Sequence, residues 1–152
     1  MIREITDRKE KSCIARLVLE DLTDWFGITE SRERYISDSE QQTMFASFGE
    51  DGNAEGFVCL KPTGKDTAEI AVIGVLRNKR GQGIGKALFA GARQSAAESG
   101  YSFLQVKTVQ MGRYREYDET NLFYLSLGFK EFEVIPDLWD ENNPCQIYVM
   151  SI

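Results

Sequence analysis

Between Ile70 and Glu98 the chain passes from an apolar, β-branched run through Arg80-Gly81-Gln82-Gly83-Ile84-Gly85-Lys86 into a stretch with helical spacing. A strand that turns through glycines into a helix start makes a phosphate cradle. Glycine adopts positive φ at little cost, and with no Cβ in the way its backbone N–H groups can converge on an anion. The first turn of the helix adds unsatisfied donors and a partial positive charge. Any fold that accepts this segment must hold the strand and the helix side by side, with the turn open to solvent.

Spacing narrows the ligand. A Walker A loop requires a glycine where Arg80 stands and Ser or Thr where the chain has Ala87. A dinucleotide fingerprint starting at Gly81 fails at Lys86, where its third glycine belongs. What fits is R-x-x-G-x-G, with Arg80 first and Gly83 and Gly85 as its glycines. Downstream, Tyr124-Leu125-Ser126-Leu127-Gly128-Phe129 has the form Y-x-x-x-G-F, a helix closed by glycine before a strand. Upstream, Ala68-Glu69-Ile70 puts a carboxylate at the start of the strand that feeds the loop.

In this order and context the three signatures resemble those of the GNAT superfamily, the acyl-CoA-dependent N-acetyltransferases. The resemblance extends over residues 2–152, with specific motifs confined to 68–129. It implies an α/β fold of the α+β type: a mixed, mostly antiparallel twisted sheet of about seven strands with helices on both faces.

The 152 residues, 42% of them hydrophobic, suffice for one sizeable core, so a single domain over 1–152 is expected. No apolar run approaches the ~20 residues that span a bilayer, and the N-terminus has no signal-peptide pattern. Cys13, Cys59 and Cys145 are odd in number and widely spaced, against a disulfide framework or a metal site. Each is expected to be a small buried hydrophobe, and the expected compartment is the cytoplasm. A net charge of −6 argues against nucleic acid and permits a cationic amine. With no histidine in the chain, proton transfer falls to carboxylate, tyrosine, lysine, cysteine or water.

Periodicity predicts a strand at Ile2–Ile5 and a helix from Glu10 that ends near Gly27, with Ile14, Leu17, Val18, Leu22 and Trp25 on its apolar face. A more polar helix follows at Glu30–Ser39. Strands Thr43–Phe48 and Ala54–Lys61 form a hairpin over Glu50-Asp51-Gly52-Asn53, and Thr67–Leu76 leads into the loop. The helix after the loop presents Ile84, Ala87, Leu88, Gly91 and Ala92 on one face. Tyr101–Val109 reads as a strand, Asp118–Leu127 as a helix, and Phe129–Ile135 with Gln146–Ser151 as a last hairpin joined by a long connection, Asp137–Pro144.

The resemblance implies that acetyl-CoA is the co-substrate and that no metal takes part. The backbone of Gly81, Gln82, Gly83, Ile84, Gly85 and Lys86 would bind the pyrophosphate, with Arg80 at the mouth of the loop. Ile73 and Val75 would bond the pantetheine arm as an added strand does, and the Ile73 amide would serve as oxyanion donor. Glu69 is the candidate general base; strand parity puts it on one face with Ala71, Ile73 and Val75. The alternative for Glu69 is an ion pair with Lys107 on the neighbouring strand. Tyr124 is the candidate general acid for the departing thiolate, or else a ring packed on the sheet. An asparagine that contacts the cofactor in many family members is replaced here by Tyr117; Asp118 or Thr120 takes over that contact, or Asp118 caps the helix. Arg113 and Arg115 either reach the 3′-phosphate or belong to a solvated loop.

The acceptor groove would be bounded by the first two helices and the last hairpin, which supply Trp25, Phe26, Tyr35 and Trp139, with Glu20, Asp24, Glu30 and Asp140 near them in sequence. Aromatics with carboxylates suit an amine on a partly apolar body; Trp25 is equally suited to its helix's core stripe. The expected partner is a small-molecule or peptide amine, and a homodimer through the last strands is compatible with this fold. The expected reaction is direct attack of the amine on the thioester. The same motifs would serve a non-catalytic module that holds coenzyme A, or an acyltransferase for longer acyl-CoA. The facing of Glu69 and Tyr124 separates catalysis from mere binding.

Overall fold

Strand alternation and helix periodicity resolve into eleven main elements in the computed structural model, which describes residues 1–152. They are β1 (Ile2–Ile5), α1 (Arg8–Asp21), α2 (Thr29–Ser39), β2 (Thr43–Phe48), β3 (Ala54–Pro62), β4 (Thr67–Val75), α3 (Ile84–Glu98), β5 (Phe103–Val109), α4 (Arg115–Ser126), β6 (Lys130–Asp140) and β7 (Asn143–Ser151). The strands form one seven-stranded sheet in the order β1-β2-β3-β4-β5-β7-β6. Every pairing is antiparallel except β4 with β5. This is the mixed, mostly antiparallel sheet expected from the sequence.

Two apolar layers sandwich the sheet. Ile14, Ala15, Val18, Leu19 and Leu22 of α1 pack with Met44, Phe57, Cys59 and Val72 on one face. Leu88, Phe89, Ala92 and Ala96 of α3 and Tyr124 of α4 pack with Val58, Ile70, Leu104, Val106 and Tyr148 on the other. The α1 stripe is one position off the expected one: Leu17 is exposed and Leu19 buried. The helix also stops at Asp21, so Trp25 belongs to the following loop. Cys13 is exposed, contrary to expectation, because its helix turns that face to solvent.

Strand β4 carries a bulge. Its register against β3 runs Cys59↔Val72 and then Leu60↔Ile70, which leaves Ala71 as an extra residue. Ala71 and Val72 therefore both face the α1–α2 layer, while Ile73 and Val75 turn to the α3–α4 layer. The expected common face for Glu69, Ala71, Ile73 and Val75 is thus broken: simple alternation fails across an inserted residue.

The hairpin β6–β7 is longer than expected. What reads as a connection continues as strand to Asp140, and the chain reverses over Glu141-Asn142, where the Asp140 carboxylate accepts from the Asn142 N–H at 2.8 Å and from Asn143 Nδ2 at 2.9 Å. Helix α4 begins at Arg115, so Tyr117 and Asp118 lie within its first turn rather than before it. Asp118 does not cap it; its carboxylate accepts from the Gly112 N–H at 2.7 Å and pins the preceding loop.

A buried amide ties α4 to the sheet. Asn121 Nδ2 donates to the carbonyls of Val109 (2.9 Å) and Tyr117 (2.6 Å), and its Oδ1 accepts from the Tyr148 hydroxyl at 2.6 Å. Both amide donors, the amide oxygen and the Tyr148 hydroxyl thus find partners inside the protein, with Asn121 fully buried. Asn121→Ala leaves a buried hydroxyl and a buried carbonyl without partners, which costs on the order of 3 kcal/mol. Urea unfolding should show a lower midpoint with an unchanged slope; an unchanged midpoint would mean the network carries no stability.

Candidate active site

Pairing of β4 with β5 ends at Glu69↔Gln105, although β4 runs on to Val75 and β5 to Val109. Beyond that point the strands part and leave a gap in the sheet. The Leu76 N–H bonds the Glu55 carbonyl of β3, so antiparallel alternation turns Gly74 and Val72 toward β3 as well. Ile73 and Val75 are left with their backbone N–H and C=O directed into the gap. An extended ligand arm could pair there as a missing strand would.

At the far end of β4 the chain makes a short 3₁₀ turn, Arg77–Lys79, and enters the glycine loop. Gly81 and Gly83 have φ of 77° and 81°, the left-handed region. This geometry points successive amides the same way. None of the six N–H groups from Gly81 to Lys86 finds a hydrogen-bond acceptor within the protein; the first internal bond of α3 is that of the Ala87 N–H to the Gly83 carbonyl. A Cβ on Gly81 or Gly83 would meet no protein atom, so the space over the loop is open. Six free donors at a helix N-terminus fit a pyrophosphate.

A cavity of about 1060 Å³ runs from this loop through the gap between the strands. Both layers line it: Tyr35 comes from α2 on one side of the sheet, Tyr124 from α4 on the other. The loop contributes Arg80, Gly81, Gly83, Ile84, Gly85 and Lys86, and β4 contributes Ile73 and Val75; Gln82 does not line it. Trp25, Phe26, Tyr35 and Trp139, expected in an acceptor groove, line the same cavity. Arg113 and Arg115 do not line it, and the Arg115 side chain is almost fully in solvent.

Trp25 spans the two walls of the cavity. Its indole N–H is shared by Thr120 Oγ1 (3.1 Å) and the Glu116 carbonyl (3.0 Å) on α4, and the Tyr117 hydroxyl donates to the Trp25 carbonyl at 3.0 Å. On the other side the Arg80 guanidinium lies 4.5 Å from the Trp25 ring centroid. The loop after α1 is thereby fastened to both the phosphate loop and α4. Thr120, considered for a cofactor contact, and Tyr117, which stands where many family members have asparagine, spend their hydroxyls on Trp25. Sequence separation of more than 90 positions kept this contact out of reach of any local pattern.

Glu69 sits where the strands part. Its carboxylate lies 2.6 Å from Lys107 Nζ and 3.8 Å from Lys61 Nζ, and it is itself buried. Lys107 lines the cavity and Glu69 does not. The pairing considered as the alternative for Glu69 is therefore present. Tyr124 lines the cavity with its ring wedged among Phe123, Phe129 and Tyr148. Its hydroxyl makes no hydrogen bond within the protein. Burial first, then the nearby Tyr35 and Glu69, pushes the Tyr124 phenol well above its ordinary value. Burial likewise raises Tyr117 to about 12 and Tyr35 above its usual range. These groups stay protonated at neutral pH and can act as proton donors. Burial also lifts the thiols of Cys59 to about 12 and Cys145 to about 11, so neither supplies a thiolate nucleophile.

Three comparisons bear on this geometry. A family model described as an acetyltransferase (GNAT) domain matches residues 40–131. No curated protein matches the sequence. Among solved structures, a GNAT-family chain from Desulfovibrio desulfuricans superposes with a TM-score of 0.87 at 18% identity, covering 99% of this chain and 98% of that one. An aminoglycoside 6'-N-acetyltransferase complexed with coenzyme A gives 0.75 at 16% identity over 99% and 96%. A GNAT family acetyltransferase from Elizabethkingia anophelis with acetyl-CoA bound gives 0.70 at 17% over 88% and 89%. At these identities the superpositions establish the fold.

The buried phenols make stability fall at high pH. In the unfolded chain tyrosine ionises near pH 10, whereas Tyr124 keeps its proton well above that in the fold. Between the two values the native state holds a proton the unfolded state has lost, so stability falls as pH rises, by about 1.4 kcal/mol per pH unit for each such tyrosine. Tyr124→Phe should lessen the slope of unfolding free energy against pH by that amount between about pH 10.5 and 11.5. Equal slopes for variant and wild type would mean that Tyr124 titrates normally.

Proposed function

Because the chain belongs to the GNAT acetyltransferase family, we propose that residues 1–152 form one N-acetyltransferase domain that moves an acetyl group from acetyl-CoA to a primary amine by direct attack. The observation that carries the cofactor part of this reading is the set of six unbonded amides from Gly81 to Lys86. Acetyl-CoA would supply an activated acyl group as a thioester. Gly81 to Lys86 would hold its pyrophosphate, and the gap-facing backbone of Ile73 and Val75 would hold its pantetheine arm.

Residues of the chain take three roles. The Ile73 N–H, aimed into the gap, stabilises negative charge on the acyl oxygen. Tyr124, protonated and unpaired at the cavity wall, donates a proton to the departing sulfur. Glu69 holds the Lys107 ammonium at the parting of the strands, a positioning role that follows from their 2.6 Å contact. Its carboxylate is covered by that ammonium, so the acceptor's proton leaves to water in the open cavity. The rate should therefore rise with pH along the amine's own ionisation.

Calorimetric titration with acetyl-CoA tests the cofactor site. Wild type should bind saturably at micromolar concentration. Gly83→Val forces a β-branched residue into φ of 81° and fills the cradle, and should abolish binding while the thermal transition persists. Retained binding would place the pyrophosphate elsewhere. A pH–rate series tests the role of Glu69. Glu69→Gln should lower kcat/KM by roughly tenfold at every pH, with the acidic limb unmoved. A displaced limb would instead make Glu69 the base.

A further inference from the structure

The acceptor end of the cavity does not have the charge that its sequence neighbourhood suggests. Four carboxylates stand near the expected groove in sequence, and none is free to hold an ammonium there. Glu20 pairs with Arg16 at 2.9 Å, and Glu30 does not line the cavity. Asp24 pairs with Arg77 at 3.0 Å. Asp140 is turned onto Asn142 and Asn143 at the hairpin tip. Of the other lining carboxylates, Glu119 pairs with Arg115 at 3.8 Å; Glu116 makes no ion pair and stands on the α4 wall, where Trp25 bonds its carbonyl, on the other side of the sheet from α2.

Cations are placed differently. Arg34 of α2 lines the cavity, and its guanidinium makes no ion pair or hydrogen bond, although Glu30 and Asp38 stand one turn to either side. The charges of Glu69, Arg34 and Asp38 all reach the phenol of Tyr35, and Arg34 lines the same cavity as Tyr35. Lys107 borders that space too, and the cluster Lys61–Glu69–Lys107 carries one positive charge more than negative. A polycation would be repelled here. A planar guanidinium with free donors matches a carboxylate, which it binds through two parallel hydrogen bonds. Around the mouth, Ile28, Leu138 and Trp139 are 70%, 47% and 46% exposed, an apolar rim on a surface rich in charge.

Resting on the transferase reading, we infer that the acceptor is an amine that also bears a carboxylate and an apolar side chain, an amino acid of the aromatic or aliphatic type, with Arg34 as the carboxylate ligand. Tyr35, paired edge-on with Phe26 at 5.5 Å, forms the wall beside that carboxylate. Trp139 and Ile28 cover the side chain. Attack is by the amine nitrogen on the thioester carbon: a C–N bond forms, the C–S bond breaks, the sulfur takes a proton, and the amine's proton passes to water.

The test compares pairs that differ only in the carboxylate: L-phenylalanine against 2-phenylethylamine, and L-leucine against 3-methylbutylamine, with spermidine as a polycation. Thiol release from acetyl-CoA is followed, and acetyl-CoA binding is titrated in the same preparations. The expected result is a kcat/KM at least tenfold higher for the amino acid of a pair, with spermidine slowest. In Arg34→Gln that ratio should collapse toward one through KM, and Arg34→Lys should restore part of it. Acetylation of the decarboxylated amine or spermidine as fast as of the amino acid overturns the inference and leaves the transferase reading standing. A ratio unchanged in Arg34→Gln also overturns it. Acetyl-CoA binding without turnover of any of these amines removes this acceptor class, whereas absence of acetyl-CoA binding removes the transferase reading itself.

Discussion

The structure depends on the failure of β4 to stay paired with β5. Two parallel strands share three register positions, Thr67 to Glu69 against Phe103 to Gln105, and then separate. An extra residue at Ala71 bends β4 just past that point while β3 remains bonded along its other edge. Unpaired backbone in a sheet centre is costly unless something meets it. Here the cost falls on Ile73 and Val75, whose N–H and C=O groups are held ready for a ligand that pairs as a strand. The cavity, the glycine loop and the aromatic wall of Trp25, Phe26 and Tyr35 are all arranged about that gap.

Electrostatics and burial then divide the cavity. At one end six amides and the N-terminus of α3 concentrate positive potential without spending a side chain. In the middle, phenols kept neutral by burial supply donors, and the Glu69–Lys107 contact closes the apex where the strands meet. On the α2 wall Arg34 is left unpaired on a chain whose net charge is −6. Trp25 joins the walls: it stacks under Arg80 and bonds α4, so that the loop after α1 is anchored to both the glycine loop and α4.

Much of this was legible before any coordinates. The glycine loop, the strand before it and the helix after it follow from local chemistry, because positive φ and free amides are properties of a few consecutive residues. The order of elements follows from periodicity and turn residues. Local rules fail where alternation meets something non-local. The bulge at Ala71 reversed the facing of Ile73 relative to Glu69, and an eleven-residue β6 absorbed what looked like a loop because Asp140 closes a tight turn with Asn142 and Asn143. Cys13 was expected inside on residue type, but the helix phase set by Ile14, Val18 and Leu22 puts it outside.

The sequence by itself determined the glycine loop with its free amides, the strand that leads into it and the absence of any imidazole. Those are fixed by residue type and by neighbours within a turn or two. Tertiary structure alone decided which charges remain free. Glu69 is neutralised by Lys107 across a strand pair, Asp24 by Arg77 across 53 positions, and Arg34 by nothing. A charge acts through the distance to its partner and the water between them, and both are set by how distant segments pack.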